Sequence, residues 1–348
     1  MLIELLLLLG SYNDSSQESV QLYSFNQESG QFAYLSGATG VTNPTFLCTN
    51  AAQDVVYAVG EYDEDDKATM NAFRLDREKP SLTLFSTQPN GSGAPCNIAV
   101  TPDGRQLISA NYSGGSITFF DLLNDGLLSA PSKLQYEGHG PNPARQEKPH
   151  IHAINFTPDS LFLLANDRGQ DCIHVYPMTD GGVDTDHGYD LAVDAGAGPR
   201  HLCFAPDGRH AYLISELSGQ IFTLSYADKC LSVVSSLVAD TLQAGGSADI
   251  HLSPDGQFLY ASHRLKGDGI SIYSVSPADG SLTRIGYQPT GIHPRNFALT
   301  PNGKFLLVAC RDSNAIQVFE RDAATGLLKD TGRSISMPRP MFVKFLSF

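Results

Sequence analysis

Residues 200–216 read RHLCFAPDGRHAYLISE and decide the fold. An apolar segment runs into Pro206-Asp207-Gly208, and a second apolar segment follows. Proline at the second position of a turn and glycine at the last favour a tight type I or type II turn between two strands. The same short stretch carries Arg200, His201 and Glu216, so a β-hairpin and three polar side chains occur together.

This turn recurs along the chain at a regular interval. The prolines of Pro-Asp-Gly, or of a close relative, stand at positions 102, 158, 206, 254 and 301, which are 56, 48, 48 and 47 residues apart. A weaker copy, residues 46–54, lies about one period upstream. Two further strand-like segments follow each hairpin, as residues 270–275 and 282–285 show. Four short antiparallel strands in a period near 48 are typical of a β-propeller blade.

The two ends of the chain complement each other. Residues 341–345 resemble only the first strand of a unit, whereas residues 5–9, 20–25 and 32–35 resemble the second, third and fourth strands. Joined, they would form a seventh blade that leaves no open sheet edge. The sequence therefore predicts one all-β domain over residues 1–348, a seven-bladed β-propeller with four antiparallel strands per blade, whose ring is closed by the shared terminal blade. Six or eight blades would require a miscounted unit.

Composition narrows the classes of function. Charged residues make up 17%, below the usual quarter, while 32 glycines and 20 prolines suit short strands and tight turns. A formal net charge of −14 argues against a nucleic-acid-binding protein and against docking on an anionic membrane. We expect a monomer or a weak homo-oligomer.

The leucine-rich segment 5–9 is expected to be a buried strand rather than a signal peptide. It has no basic region before it and no small-x-small cleavage site after it, and it is too short to span a bilayer. The six cysteines form no C-x-x-C pair, which favours reduced, packed thiols and a cytoplasmic location.

The long interval of 56 residues reflects an insertion, the polar segment 139–152. An insertion in a regular repeat is typical of a functional loop. A surface excursion without a role is the alternative.

Polar side chains recur at two positions of the repeat. In a propeller the first strand of each blade lines a central channel, and the second strand ends at a channel mouth. On or just before first strands stand His150, His152, Arg200, His201, His251, His293 and Arg295. At or just past the ends of second strands stand Glu61, Asn111, Tyr112, Asp167, Arg168, Glu216, His263, Arg264 and Arg311. Converging cations of this kind would bind an anionic ligand, although any one histidine could be a satisfied core residue.

Other chemistries lack a motif. His150 and His152 lie on one face of a strand, but no further ligands follow at a recognisable spacing, so we predict no metal. The sequence contains no G-x-S-x-G elbow, no P-loop and no dinucleotide fingerprint, so we predict no cofactor. Acid–base and electrostatic chemistry by Glu, His and Arg remains.

The chain resembles the seven-bladed lactonase family, which includes propeller-type 6-phosphogluconolactonases and fungal carboxy-muconate cyclases. The resemblance covers nearly the whole chain and depends on the order of several short motifs. These are Asn43-Pro44, Tyr57-Ala58-Val59-Gly60-Glu61, Gly93-Ala94-Pro95-Cys96, Ala110-Asn111-Tyr112-Ser113-Gly114-Gly115-Ser116, Arg145-Gln146, Pro149-His150-Ile151-His152, Gly198-Pro199-Arg200-His201, Ala248-Asp249-Ile250-His251 and Pro294-Arg295-Asn296-Phe297.

The resemblance implies a catalytic group of one histidine, two arginines and one glutamate. On the matching motifs these fall on His152, Arg200, Glu216 and Arg264. The substrate-binding candidates are Arg145, Gln146, His150, His201, Arg295, Glu61 and Tyr112. The chain departs from the family pattern at Gly60, Asn97, Ser215 and His263, which leaves the charged set intact and the substrate open.

We therefore predict a carboxylic ester hydrolase that acts on a small anionic lactone, first of all 6-phosphogluconolactone of the pentose phosphate pathway. Arg200 and Arg264 would bind the anion and polarise the carbonyl, and Glu216 or His152 would be the general base. One alternative is a lactonase or cyclase for another carboxylated, muconolactone-like lactone. Another is a non-catalytic scaffold or ligand sensor, since fold alone does not fix function.

Overall fold

A computed structural model describes residues 3–346, and nearly all of its regular structure is β-strand. The strands are, in chain order, β1 (Glu4–Ser11), β2 (Val20–Asn26), β3 (Phe32–Ala38), β4 (Leu47–Thr49), β5 (Val55–Gly60), β6 (Thr69–Asp76), β7 (Ser81–Pro89), β8 (Pro95–Val100), β9 (Gln106–Asn111), β10 (Ser116–Asp121), β11 (Ser132–Gln135), β12 (Ile151–Phe156), β13 (Phe162–Asp167), β14 (Cys172–Thr179), β15 (Gly182–Val183), β16 (Tyr189–Ala192), β17 (Pro199–Phe204), β18 (His210–Ser215), β19 (Gln220–Ala227), β20 (Cys230–Val238), β21 (Ser247–Leu252), β22 (Phe258–His263), β23 (Gly269–Val275), β24 (Leu282–Pro289), β25 (Pro294–Leu299), β26 (Phe305–Cys310), β27 (Ala315–Arg321), β28 (Leu328–Ser336) and β29 (Pro340–Leu346). Two short 3₁₀ helices are Asn124–Gly126 and Arg311–Ser313.

These strands form seven antiparallel sheets, six of them blades of consecutive strands and one a blade that combines β29 with β1, β2 and β3. The predicted blade number and the four-stranded blade are confirmed. One blade departs from the pattern, because the long strand β14 pairs with β16 and, at its far end, with the two-residue strand β15.

The chain divides into two compact units, and each is described by itself. The first unit comprises the chain up to Tyr12, Val20–Ser36 and everything from His201 onward, and it contains four blades. The second unit comprises Asn13–Ser19 and Gly37–Arg200 and contains three blades. The expectation of a single domain stays a prediction.

The terminal strands share one blade, as predicted. Strand β1 pairs with β2 on one side and with β29 on the other, in the order β29-β1-β2-β3. Residues 5–11 of β1 are buried, so the leucine run is a core strand. Within residues 3–346, no helix is long and apolar enough to cross a membrane.

The Pro-Asp-Gly turns are type I. The N–H of Gly208 donates to the carbonyl of Ala205 at 2.9 Å, and Gly208 has a positive φ of 67°. A type II turn would place the positive φ on the preceding aspartate, which does not have one. Ser160 adopts φ 62° in the copy that lacks glycine.

No disulfide joins cysteines within the described residues. The expectation that all six thiols are packed in the protein interior is wrong for one of them. Cys230 is exposed at the start of the outer strand β20, so it is not a core thiol.

First strands carry a β-bulge at an equivalent position of the repeat. The pairing register of β8 skips Cys96, that of β12 skips His152, and that of β25 skips Arg295. In β21 the irregularity falls between Ser247 and Ile250. A bulge leaves a residue outside the ladder of paired strands and turns its side chain in a new direction. The bulged residue of a first strand therefore differs in orientation from its neighbours.

The residue after the bulge joins neighbouring first strands. Asn97 Oδ1 accepts the N–H of Ile154 at 2.9 Å within the second unit. Asn296 Oδ1 accepts the N–H of Val343 at 2.8 Å within the first. These side chains are buried, so they satisfy backbone donors that water does not reach.

Replacing Asn296 with alanine should lower the free energy of unfolding by about 2 to 4 kcal/mol. The variant leaves the N–H of Val343 without its acceptor and removes a hydrogen bond at 2.5 Å to the buried carboxylate of Asp249. Urea unfolding measures the loss. Asn124→Ala, at an exposed position, is the control. Equal midpoints for the two variants would contradict this role of Asn296.

Candidate active site

Backbone hydrogen bonds fix the residues that follow second strands. In the first unit, Arg264 N–H donates to Gly246 O at 3.2 Å and Arg311 N–H to His293 O at 3.1 Å. Each bond ties the end of a second strand to the entrance of its own first strand. The repeat therefore presents one side chain per blade at the same place.

Glu216 and Arg264 occupy this position in consecutive blades of the first unit and form an ion pair. Arg264 Nη2 lies 3.4 Å from Glu216 Oε2, and both side chains are less than one-tenth exposed. Arg264 Nε also donates to Gly246 O at 2.8 Å. The guanidinium is thus fixed in direction beside the carboxylate.

His293 gives Arg264 a third contact. Arg264 Nη1 donates to His293 Nε2 at 3.1 Å, which requires a neutral imidazole. Burial and the charges of nearby arginines lower the pKa of His293 to about 3. His293 Nδ1 then carries the proton and faces Asp312 Oδ2 at 3.5 Å.

Three guanidiniums act on this one histidine. Those of Arg264, Arg311 and Arg295 each disfavour a proton on His293. Arg311 is paired with the half-exposed Asp312 at 2.6 Å, whereas Arg295 lies on the bulge of β25. The cluster formed by these three arginines is suited to an anionic ligand.

His201 and His251 flank a buried carboxylate in the same unit. His201 Nδ1 donates to Asp249 Oδ1 at 2.7 Å, and His251 Nε2 donates to Asp249 Oδ2 at 3.0 Å. Burial would raise the pKa of Asp249, but the two imidazoles lower it well below its usual range. His201 is therefore oriented by an ionised aspartate.

In the second unit, the ring of Tyr112 collects three of the polar side chains from the sequence map. It stacks on His150 with centroids 4.5 Å apart, and it meets His152 edge-on at 5.7 Å. The guanidinium of Arg168 lies 5.2 Å from the ring centroid. His152 is the bulged residue of β12, and its Nδ1 lies 3.9 Å from Cys96 Sγ.

The inserted loop is fastened by Gln146. Its amide nitrogen donates to Arg168 O at 2.9 Å and to Asp171 Oδ1 at 2.7 Å, and its oxygen accepts the N–H of Asn142 at 3.2 Å. The side chain is fully buried. Arg168 Nη1 donates in turn to Arg145 O at 2.7 Å. Gln146 thus holds the inserted loop in place. The sequence indicates Gln146 only as a substrate-binding candidate and does not predict this structural role.

Two further predicted residues, Arg200 and Glu61, also belong to the second unit. Arg200 is almost fully buried, and its carbonyl accepts the amide of Asn166 at 3.1 Å. The backbone carbonyl of Glu61 accepts a hydrogen bond from Asn43 Nδ2 at 3.0 Å. The carboxylate of Glu61 accepts one from the hydroxyl of Thr45.

The structure thus brings Glu216 and Arg264 together in one unit and places His150, His152 and Tyr112 together in the other. A joint action of His152 and Arg200 with Glu216 and Arg264 stays a prediction. Site selection from the sequence omitted Arg168, Asp249 and His293. Spacing could have found Arg168, because it stands 48 residues before Glu216, as Glu216 does before Arg264.

Comparison with known proteins places the chain in a family. The family model described as lactonase, 7-bladed beta-propeller, matches residues 6–345. A 6-phosphogluconolactonase of Formosa agariphila is 34% identical over 92% of this chain and 94% of its own. The crystal structure of a candidate 6-phosphogluconolactonase from Bacteroides fragilis is 44% identical, with a TM-score of 0.94 over 99% of this chain and 98% of that one. The periplasmic gluconolactonase of Pseudomonas aeruginosa is 29% identical, with a TM-score of 0.91 over 99% of both chains.

The fold is that of a seven-bladed β-propeller of the lactonase class, as the sequence predicts. The chain belongs to the seven-bladed β-propeller lactonase family.

His263, next to Arg264, is a buried neutral histidine. Its Nδ1 and Nε2 each lie 2.8 Å from a serine hydroxyl, of Ser247 and of Ser271. Burial lowers its pKa from 6.5 to about 4. Between these two values the unfolded chain binds a proton that the folded protein does not bind.

Stability should therefore fall as the pH drops from 6.5 towards 4, by at most about 1.4 kcal/mol per pH unit from this group. The stability contributed by neutral His263 is fully present above pH 6.5. In His263→Asn this part of the slope should disappear, as urea midpoints measured at pH 7 and pH 5 will show. His139→Asn, an exposed control, should keep the wild-type slope. If stability depended on pH in His263→Asn as strongly as in the wild type, the assignment of this slope to His263 would be wrong.

Proposed function

We propose that the protein is a lactonase that hydrolyses a sugar lactone, with 6-phosphogluconolactone as the first candidate substrate. Membership of the lactonase family supports the reaction class. The observation that carries the proposal to this chain is the buried Glu216–Arg264 pair, a carboxylate and a fixed guanidinium 3.4 Å apart.

Each member of this pair supplies one half of ester hydrolysis. Arg264 would polarise the lactone carbonyl and stabilise the oxyanion that forms when water adds to it. Glu216 would accept the proton of that water, a contribution of roughly 10²–10⁴-fold. Because Gly246 and His293 fix the guanidinium, little reorganisation would accompany the reaction.

The arginine cluster around His293 supports an anionic substrate. Its guanidiniums would bind a phosphate or a carboxylate in the manner typical of arginine. The relative from Pseudomonas aeruginosa, described as a gluconolactonase, makes unphosphorylated gluconolactone the second candidate. A muconolactone-like substrate remains the alternative drawn from the sequence.

We include His152, His150, Tyr112 and Arg200 in the proposed site. Tyr112 would orient the imidazole of His152 by its edge-on contact.

We also expect a cytoplasmic location and a monomer or weak homo-oligomer. The relative from Pseudomonas aeruginosa is described as periplasmic.

Hydrolysis rates with 6-phosphogluconolactone and with gluconolactone test the substrate. We expect the phosphorylated lactone to have the higher kcat/KM, since the arginine cluster would bind its phosphate. The control is the spontaneous hydrolysis of each lactone in the same buffer. A preference for gluconolactone would favour the second candidate, and no acceleration of either would refute the proposed function.

Replacing Glu216 with glutamine tests the base. The amide keeps the shape of the side chain but cannot accept the proton, so kcat should fall by roughly 10²–10⁴-fold. Thermal unfolding of the variant shows whether it is folded at the assay temperature. Glu320→Gln, at an exposed position, should retain full activity. Wild-type turnover in folded Glu216→Gln would exclude Glu216 as the base.

A further inference from the structure

A cysteine, a histidine and an aspartate meet in the third blade of the second unit. Cys172 and His174 are two residues apart on β14, so they point to the same face of the sheet. Asp190 lies directly opposite His174 on the neighbouring strand β16. Strand pairing therefore brings one thiol, one imidazole and one carboxylate together.

The side-chain atoms of this group are close enough to share one ion. His174 Nδ1 lies 2.6 Å from Asp190 Oδ1, and Cys172 Sγ lies 3.9 Å from the same nitrogen. All three ligand atoms lie within 4.8 Å of one another. In a tetrahedral zinc site the nitrogen and sulfur ligands are about 3.6 Å apart, and nitrogen and oxygen about 3.4 Å. The group thus needs only a modest opening between His174 and Asp190.

The surroundings of His174 are those of a metal-binding histidine. Its second nitrogen, Nε2, lies 3.4 Å from Asp167 Oδ2. The other oxygen of Asp167 accepts the backbone N–H groups of His150 and Gly169, at 2.8 and 2.7 Å, so this carboxylate is fixed. A carboxylate behind the imidazole orients the ring and strengthens it as a ligand. Tyr136, stacked 4.2 Å from the ring, restricts it further.

Asp190 lies at the exposed side of the group. Cys172 and His174 are buried, whereas the side chain of Asp190 is 62% exposed on an outer strand. An ion can therefore enter past Asp190, and this carboxylate can move to widen the gap. A fourth position on the ion would be taken by water.

We propose that Cys172, His174 and Asp190 form a binding site for a thiophilic divalent cation of the zinc type. A thiol with an imidazole selects zinc or cobalt over magnesium and calcium, which prefer oxygen ligands only. This departs from the expectation of no metal drawn from the sequence. The proposal does not rest on the proposed lactonase activity, because cobalt binding is measured without substrate.

Binding would replace protons by the cation. Cys172 would lose its thiol proton, and His174, held as an imidazolium between Asp190 and Asp167, would lose the proton on Nδ1 and keep the one on Nε2, so two protons leave for each divalent ion bound. No oxidation or reduction is involved. The ion would join β14 to β16 across the connecting residues 180–188, and it would stabilise the fold in proportion to its occupancy.

Cobalt(II) titration of chelator-treated protein tests the site. We expect one cobalt ion per chain, with a thiolate-to-cobalt charge-transfer band, and displacement of cobalt by an equimolar amount of zinc. Cys172→Ser should abolish the band. Asp190→Asn, at the exposed ligand, should weaken binding at least about tenfold, as loss of an outer partner of a ligand already does.

Two matched variants serve as controls. Cys230→Ser removes the exposed thiol, and His187→Gln removes an exposed histidine paired with Asp184 at 2.8 Å but lacking a thiol. Both should bind cobalt as the wild type does. The absence of a band in wild-type protein, a band unchanged in Asp190→Asn, or equal loss in the controls would each overturn the proposal. Asp190→Asn keeps the test valid if Cys172→Ser does not fold.

Discussion

The buried carboxylate of Asp249 is the interaction on which the first unit depends. It accepts hydrogen bonds from the side chains of His201, His251 and Asn296 and from the backbone N–H groups of Ile250 and Phe297. Moving an ionised carboxylate out of water costs many kcal/mol unless it is fully hydrogen-bonded. These donors lie on three first strands, β17, β21 and β25, so the carboxylate is satisfied only when all three are in place.

The same constraint positions the candidate active site. In β25, Arg295 is bulged out of the ladder and the next residue, Asn296, joins Asp249 to Val343. In β12, His152 is bulged in the same way. Because a bulge turns adjacent side chains in different directions, Asn296 can join strands while Arg295 contributes to the cationic cluster around His293. Structural and functional residues can therefore be consecutive in sequence.

Much of this organisation could be predicted from the sequence, because it follows from local rules repeated at a fixed period. Pro206-Asp207-Gly208 specifies its hairpin through backbone preferences alone, and the two termini complement each other strand by strand. Contacts between side chains could not be predicted in this way. The amide of Gln146, a predicted substrate-binding residue, joins the inserted loop to Arg168 and Asp171, and the loop has no counterpart in the other repeats from which such contacts could be inferred. The proximity of Cys172 to Asp190 depends on which strand pairs with β14 after the excursion at β15.

Charge explains how a protein of net charge −14 keeps a cationic cluster. A protonated His293 would add a fourth positive charge beside Arg264, Arg295 and Arg311 and would be repelled by all three. With a pKa of about 3, His293 is instead neutral over the physiological range and accepts a hydrogen bond from Arg264. The histidine thus fixes the direction of the guanidinium without neutralising its charge, whereas a carboxylate at the same place would do both. Glu216 pairs with Arg264 at 3.4 Å and Asp312 pairs with Arg311 at 2.6 Å, so the three guanidiniums and these two carboxylates together carry a net charge of +1, which favours an anion.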